Sequence, residues 1–328
     1  MLHLAAQFQF STSWLVELLV FVALYATLAA SLNLVTGFGG MFSLGHHGFY
    51  AVGAYAAGFV ASRWGEVDPG SASGLACFAA SGLAAVAAAS VAGVAVGLPC
   101  LRLRGDYLAI ATLAFGEIVR IAIENTPALK GSLGLYVPRV VLDPTGRVAT
   151  FRLVFLAIGL VMLGTVLVVL RNVLRSAHGR AIVSVREDEV ASDLLGVDTT
   201  RYKLRTFVLG SAVAGLVGWF YAHYNGSIAP REFDLMVGIR ILLIVVLGGM
   251  GNLWGGVAAA AVLVGAERLL LAGVFGETAK DWMQVWYAAF LIVLMLGGRA
   301  AALQGLRFVG ARLAPLLGRP KPSGTGPS

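Results

Sequence analysis

The sequence contains few charged residues for its length. Only 12% of its 328 residues are Asp, Glu, Lys or Arg, whereas roughly 25% is typical of soluble domains. Hydrophobic residues make up 58% of the chain, and uncharged stretches recur between Trp14 and Gly298. A membrane-spanning helix needs about 20 apolar residues, which these stretches supply. The composition therefore excludes an ordinary soluble domain and predicts an all-α fold, a polytopic transmembrane helical bundle in a lipid bilayer.

Motifs for metal binding, disulfide bonding and catalysis are also missing. The two cysteines, Cys77 and Cys100, have the spacing of neither a metal site nor a disulfide framework. There is no GxxxxGK[ST] phosphate loop, and the GGMGNLWGG stretch from Gly248 lacks GxGxxG spacing and joins two apolar runs. No Ser elbow or HExxH pattern occurs. We therefore expect this chain to hold no metal and no cofactor and to hydrolyse no ATP.

About nine apolar runs between charged or Pro/Gly breaks predict membrane spans, and the pattern is compatible with eight to ten. The runs cover residues 14–36, 41–61, 72–98, 107–124, 152–170, 204–224, 235–250, 253–272 and 282–298. We assign residues 1–300 to a single transmembrane domain in which residues 171–205 form a polar loop. Residues 301–328 form a basic tail whose Pro, Gly and Ser content predicts partial disorder.

Basic residues predict the orientation of the spans. The net charge of +7 would suit nucleic acid in a soluble protein, but here Lys and Arg concentrate in residues 171–205 and after Gly298, beside apolar runs. The positive-inside rule puts both regions in the cytoplasm, and the even number of spans between them allows this. The N-terminus is then outside and the C-terminus cytoplasmic. Lys130, Arg139 and Arg147 fall in an external loop and are an exception to the rule.

A glycine-rich run, SLGHHGFYAVGAYAAG from Ser43, lies in the second predicted span. A helix that is broken at membrane depth is tolerated where it lines a cavity, which makes Ser43 and His46 candidates for a translocation path. Close helix packing through glycine is the alternative, and the sequence leaves it open. His46 and His47 point about 100° apart on a helix, which argues against a shared metal site and favours hydrogen bonds between helices.

Charged residues inside the predicted spans are further candidates. Glu117, Arg120 and Glu124 stand at positions i, i+3 and i+7, which places them on one helical face. Because charges are costly in a bilayer, Glu117 and Arg120 either line the translocation path or hold helices together as an ion pair. Glu267 and Arg268 are adjacent near the end of the eighth span. We expect these two residues to anchor that span at the membrane interface.

The polar loop contains a short amphipathic segment. Apolar residues recur in it at helical spacing, namely Val190, Ala191, Leu194 and Leu195. Three acidic residues precede or open the segment and favour a helix start by opposing the helix dipole: Glu187, Asp188 and Glu189. Gly196 can end the helix in a left-handed conformation. The apolar face either lies on the membrane or binds a partner protein, and the residues alone leave that choice open.

Four separated blocks carry a resemblance to a known family. They are SLNLVTGFGGMFSLGHHGFYAVGAYAAG from Ser31, LRLRGDYLAIATLAFGEIVRI from Leu101, GRAIVSVREDEVASDLLGVDTTRYKLRTFVL from Gly179 and LIVVLGGMGNLWGG from Leu243. Over about residues 14–300 the chain resembles the LivM-type permeases of the branched-chain amino acid ABC transporter family. Four blocks in the family's order are far more specific than hydrophobicity alone.

The resemblance implies a permease subunit of an ATP-driven importer in the bacterial inner membrane, and not an enzyme. It implies as partners a homologous second permease, two cytoplasmic ATPases and a periplasmic substrate-binding protein, with no nucleic acid. The segment from Glu187 to Gly196 would be the coupling helix that binds an ATPase. Glu189 and Gly196 are seven residues apart, whereas the general EAA signature of ABC importers has six, so the match is to this family's own version.

The resemblance leaves the solute open. Branched-chain amino acids (Leu, Ile and Val) are the solutes that it favours, but the family also serves urea, short amides and some aromatic acids, and membership does not fix the substrate. An ion-coupled secondary transporter that uses Glu117 and Arg120 is the alternative outside this family. A membrane-embedded enzyme is a remote third interpretation. Dependence of uptake on ATP separates these hypotheses.

Overall fold

The computed structural model describes residues 12–64, 71–103, 105–138 and 148–269. Its helices are, in chain order, α1 (Thr12–Asn33), α2 (His46–Arg63), α3 (Ala72–Cys100), α4 (Asp106–Glu124), α5 (Val148–Arg175), α6 (Ala177–Glu187), α7 (Glu189–Leu194), α8 (Thr199–Asn225), α9 (Leu235–Gly248) and α10 (Leu253–Leu269). A π-helical turn, Leu34–Phe38, extends α1, and 3₁₀ turns cover Pro127–Leu129, Gly131–Leu133 and Pro230–Phe233. Two short strands, β1 (Leu135–Tyr136) and β2 (Ser227–Ile228), pair antiparallel. The described chain is thus mostly helical, as predicted, apart from this two-residue pairing.

Each of the first eight predicted spans coincides with a helix, α1 to α5 and α8 to α10. Among the described residues, four helical stretches are long and apolar enough to cross a membrane by length and composition: Trp14–Phe38, Ala72–Cys100, Phe151–Arg175 and Thr199–Asn225. α9 has 14 residues, or about 21 Å, which is shorter than the ~30 Å hydrocarbon core. The ninth predicted span and the basic tail lie outside the described residues. A count of about nine spans stays a prediction.

α1 lies at the centre of the bundle. Every residue from Ala23 to Gly37 is buried, and a helix that is apolar and enclosed on all sides belongs inside a protein. Neighbours on several sides provide this cover, since α5, α8, α9 and α10 all pack against α1. The first described helix is therefore shielded from lipid by helices that follow it.

α2 and α8 approach each other closely. Gly53 of α2 lies against the backbone of Gly215, and Gly218 of α8 lies against the backbone carbonyl of Tyr50. A Cβ atom at Gly53 would collide with the Gly215 backbone, so this approach requires residues without a side chain. The glycine-rich run of the second span therefore serves helix packing, which is the alternative that the sequence left open.

The irregular backbone of the second predicted span comes before α2 rather than within it. Residues 39–45 form no helix, and α2 then runs without interruption from His46 to Arg63. Most of these residues are buried, and Leu44 N donates to Thr112 Oγ1 of α4 at 3.1 Å. Non-helical backbone is stable at membrane depth only where protein or a water-filled cavity surrounds it. Residues 39–45 are called the inner segment below.

Several of the described loops contact one another at two ends of the bundle. At one end, Arg186 of α6 bonds to Gly37 after α1, and Asn33 of α1 bonds to Gly251 in the α9–α10 turn. At the other end, β1 after α4 pairs with β2 after α8, beside Gly58 of α2. This grouping agrees with the alternation of loops that the charge pattern predicts. Which end faces the cytoplasm stays a prediction.

Candidate functional site

Ser43 lies in the inner segment. The residue is 1% exposed, and its hydroxyl oxygen has no hydrogen-bond partner among the described residues. Leaving a buried polar group unpaired costs about 1–3 kcal/mol, so an unpaired buried hydroxyl marks a place where a ligand or water is expected. Ser43 therefore remains a candidate for the translocation path.

His46 joins α2 to α1. Its Nε2 atom lies 2.7 Å from Ser31 Oγ, and the Ser31 hydroxyl lies 2.8 Å from the carbonyl oxygen of Leu28. Because a carbonyl can only accept, the Ser31 hydroxyl donates its single proton to Leu28 and accepts a hydrogen bond from His46 Nε2–H. The predicted hydrogen bond between helices is thus confirmed for His46. Its place in the translocation path stays a prediction.

His47 points away from the preceding histidine, toward α4 and α9. Its ring packs against Gly116 of α4 and Gly238 of α9, where a Cβ atom would collide with it. Nδ1 lies 3.1 Å from the Leu44 carbonyl oxygen, and Nε2 lies 3.9 Å from Glu117 Oε1. The two histidine rings therefore diverge, as the helical geometry predicts.

The ion-paired face predicted on α4 is confirmed. Arg120 Nε donates to Glu117 Oε2 at 2.8 Å, and Arg120 Nη1 donates to Glu124 Oε2 at 3.3 Å. The three side chains are between 25% and 35% exposed, and one guanidinium faces two carboxylates. Within a membrane span, such a face has to meet protein or water rather than lipid. These three residues are called the α4 ion cluster below.

The amphipathic segment of the polar loop forms α7 and the residue after it, and its apolar face is exposed. Val190 is 61% exposed, Leu194 84% and Leu195 85%, and Ala191 is exposed as well. The rest of the described chain leaves most of the surface of these side chains uncovered. The four residues are called the α7 patch below.

The boundaries of this segment differ from the prediction. α6 ends at Glu187, and Asp188 adopts an extended conformation that separates α6 from α7, which begins at Glu189. The Asp188 carboxylate accepts hydrogen bonds from two backbone N–H groups of α7 at 2.9 and 3.0 Å, so it is the N-cap of that helix. Gly196 has a φ of +84°, the left-handed conformation that was predicted. Glu187 therefore belongs to a different helix from the α7 patch.

Glu267 and Arg268 tie α10 to other helices, a role that the sequence did not indicate. Arg268 Nη1 donates to Glu17 Oε1 of α1 at 3.0 Å, and Glu267 pairs with Arg240 of α9 at 3.3 Å. Glu17 also pairs with Arg152 of α5 at 3.5 Å. Ion pairs thus connect α1, α5, α9 and α10. The predicted position at the membrane interface stays a prediction.

The family model described as Branched-chain amino acid transport system / permease component matches residues 14–308. The chain belongs to this family. The resemblance found in the sequence blocks is thereby confirmed. Together with the helical stretches that are able to cross a membrane, membership makes the protein a multi-pass integral membrane protein.

Named permeases of this family are similar over most of the chain. The high-affinity branched-chain amino acid transport system permease protein LivM of Salmonella typhimurium is 36% identical over 282 residues, which are 78% of this chain and 63% of that protein. LivM of Escherichia coli K12 gives the same values. The corresponding permease protein LivH of Salmonella typhimurium is 34% identical over 121 residues, 37% of this chain and 38% of that protein. The chain thus spans 63% of the length of these LivM relatives. No solved structure matches the chain.

Two residues that connect helices and turns of this protein, Asn33 and Arg186, were not predicted from the sequence. Asn33 is fully buried and bonds to the α9–α10 turn. An Asn inside an uncharged run was an available signal, because polar residues within spans are functional candidates. Arg186 gave no such signal, since its partner is the backbone carbonyl of Gly37, 149 residues away.

Proposed function

We propose that this chain is a membrane-spanning permease subunit of an ATP-driven importer for the branched-chain amino acids Leu, Ile and Val. The observation that carries the proposal is the 36% identity to LivM over 78% of the chain. The helical stretches that are able to cross a membrane support it. In this proposal the chain uses no cofactor, and ATP hydrolysis takes place in a separate subunit.

The proposed complex contains a homologous second permease, two cytoplasmic ATPases and a periplasmic substrate-binding protein. The similarity of part of the chain to LivH supports a homologous partner. In the proposed orientation across a bacterial inner membrane, the N-terminus is outside, and the polar loop 171–205 and the C-terminus are cytoplasmic. The Lys and Arg content of that loop supports this orientation.

The α7 patch is the proposed docking surface for an ATPase. It is apolar, it is exposed, and it belongs to the loop that is assigned to the cytoplasm. Asp188 caps the helix, and Glu189 pairs with Lys203 of α8 at 2.6 Å, so the fold holds α7 in place without burying the patch. Apolar side chains that a fold leaves exposed together are typical of a protein interface.

The proposed translocation path is lined by the inner segment and by the α4 ion cluster. Ser43 contributes a buried hydroxyl with no partner in the described chain. Glu117 and Arg120 contribute both signs of charge, which suits the ammonium and carboxylate of an amino acid. His46 lies three residues after Ser43 and holds the start of α2 against α1 through Ser31. We assign it to the wall of the same path.

Uptake by reconstituted vesicles tests this function. Labelled leucine should accumulate when the complete complex receives ATP on the side of the ATPases, and a proton or sodium gradient should have no effect. Accumulation that follows a gradient and ignores ATP would instead identify an ion-coupled secondary transporter. Unlabelled isoleucine and valine should compete with leucine. Competition by urea, short amides or aromatic acids alone would show that the solute assignment is wrong.

A further inference from the structure

Two glycine-rich turns lie against each other at one end of the bundle. One follows α1, and the other joins α9 to α10. Asn33 connects them, because its Oδ1 accepts from Gly251 N at 2.8 Å and its Nδ2 donates to Asn252 O at 3.0 Å. Asn33 is fully buried, whereas Gly251 is partly buried and Asn252 is exposed. The end of α1 and the α9–α10 turn therefore form one connected unit.

Arg186, in the last turn of α6, reaches the same unit. Its Nη1 donates to Gly37 O at 2.7 Å, and its Nη2 lies 3.2 Å from Glu187 Oε1. The stem of the side chain packs against Gly40, and Nη1 lies beside Gly251. Charge-assisted hydrogen bonds of this length are among the stronger ones in proteins. A single side chain thus joins α6 to both glycine-rich turns.

The glycines of the two turns make room for these contacts. A Cβ atom at Gly37 would collide with the Asn33 side chain and with the backbone of Gly251. Gly251 has a φ of +84°, a conformation that residues with a side chain rarely adopt. The GGMGN turn lacks the spacing of a phosphate-binding loop. Of its glycines, Gly251 lies beside Asn33 and Arg186, whereas Gly248 packs against the backbone of Gly255.

Arg186 stands between the α7 patch and the inner segment. Two residues after it, Asp188 separates α6 from α7. On its other side, Gly37 belongs to the π-helical turn, an irregularity that is frequent at functional sites. The inner segment with Ser43 begins two residues after Gly37. One hydrogen bond therefore links the exposed end of the polar loop to non-helical backbone inside the bundle.

We propose that Arg186 is a positioning residue that transmits a displacement of α7 to the inner segment. This inference rests on the proposed function, because it makes the bond between Arg186 and Gly37 the link between ATPase docking and the translocation path. α7 contacts α6 and is joined to it through the single residue Asp188, so a displacement of α7 acts on the end of α6 at Arg186. Coupling between two sites requires such a physical link, which both sites can displace.

The test compares two variants and a control in the complete transport complex. Arg186→Gln should leave ATPase co-purification and the melting temperature unchanged, while leucine taken up per ATP hydrolysed falls by about 5-fold to 150-fold, the range typical of coupling between sites. Arg186→Lys keeps the charge and N–H groups that can donate to Gly37 O, so the ratio of uptake to hydrolysis should fall less in that variant. Arg201→Gln is the control, because it removes a positive charge from the same loop at a side chain that is 75% exposed and pairs with Asp198. Its ratio should equal that of the wild type.

An unchanged ratio of uptake to hydrolysis in Arg186→Gln would overturn the proposal. Loss of the ATPase from that variant would also overturn it, because Arg186 would then belong to the docking surface. If Arg186→Gln does not fold, the test rests on Arg186→Lys. A ratio of uptake to hydrolysis equal to that of the wild type in Arg186→Lys would then overturn the proposal. A wild-type complex without ATP-dependent uptake would refute the proposed function instead. In that case, maleimide labelling of Ser43→Cys tests the link. Adding the ATPase should change the labelling rate in the chain that keeps Arg186 and should leave it unchanged in the chain that carries Arg186→Gln.

Discussion

Arg120 is the centre of the α4 ion cluster, with a carboxylate on either side. If Glu117 is lost, Arg120 keeps Glu124 as its partner. If Arg120 is lost, the two carboxylates remain on one face without a cation between them. Removing one member of a charged pair is more destabilising than removing both. The members of the cluster are therefore not equivalent, a difference that the i, i+3, i+7 spacing alone does not indicate.

We expect Arg120→Met to lower the free energy of unfolding by about 1–3 kcal/mol, and Glu117→Gln to lower it by less, because Glu124 still pairs with Arg120. The double variant should regain part of the stability that Arg120→Met loses, because one carboxylate, Glu124, remains without its cation instead of two. Its leucine uptake should remain at least about tenfold reduced, which corresponds to ~1.4 kcal/mol of lost interaction with the solute. Thermal unfolding in detergent and uptake in vesicles measure the two effects separately. If uptake recovers together with stability, the pair is structural and does not line the path.

Glu232 is a partly buried carboxyl in the turn before α9, where it accepts a hydrogen bond from Ala229 N at 3.2 Å. Burial raises the pKa of this carboxyl above its ordinary value. A group with a raised pKa stabilises the fold most below its ordinary pKa, and this contribution is lost as the pH rises through the raised pKa. Glu232→Gln should therefore gain stability relative to the wild type as the pH rises above about 4, the ordinary pKa of a Glu carboxyl. Unfolding measured across this range checks the sign, and a difference independent of pH would contradict it.

At the scale of whole elements, variants of the α7 patch distinguish two hypotheses, in which α7 binds either a protein or the lipid surface. Leu194→Asp and Leu195→Asp each place a charge on the patch, and an unpaired charge buried at an interface is costly. We expect at least about tenfold less ATPase to co-purify, with membrane insertion unchanged. Leu133→Asp is the matched control, since Leu133 is 93% exposed and lies near the opposite end of the bundle. Full recovery of ATPase and of transport in the α7 variants would mean that α7 lies on the membrane.

The existence of helices could be predicted from the sequence, but their exact starts could not. Residues 41–45 are as uncharged as the helix that follows, so the apolar pattern includes them in the second span. Their non-helical conformation involves a partner 68 residues away, because Leu44 N bonds to Thr112. Likewise, the acidic run at 187–189 reads as one helix start, whereas Asp188 separates two helices. Boundaries that depend on tertiary contacts leave no periodic signal.

The same distinction applies to the candidate site. The α4 ion cluster and the α7 patch could be predicted because each depends on spacing along one helix or its immediate end. The contact of Arg186 could not, since a backbone carbonyl has no residue identity to recognise. The ion pairs of Glu267 and Arg268 were missed because their partners lie on other helices.

At the scale of the whole molecule, cysteine labelling tests the orientation. Ser192, which lies in the polar loop, is buried, so the exposed Asp193 is the better labelling position. In a chain without Cys77 and Cys100, an impermeant maleimide should label Asp193→Cys only from the cytoplasm and Leu133→Cys only from outside, as the positive-inside rule predicts. Labelling of both from one side would refute the alternation of spans. Exchanged sides would place the N-terminus in the cytoplasm.

Asn33 also affects the order in which the molecule is assembled. Its two hydrogen bonds go to residues 218 and 219 positions later in the chain. Because ribosomes add about 5–20 residues per second, the α9–α10 turn is synthesised roughly 10–45 s after the end of α1. Throughout that interval, the side-chain amide at the end of the central helix has no native partner. α1 is therefore made before α9 but completed only after it, and translation that stops before Gly248 leaves its contacts unfinished.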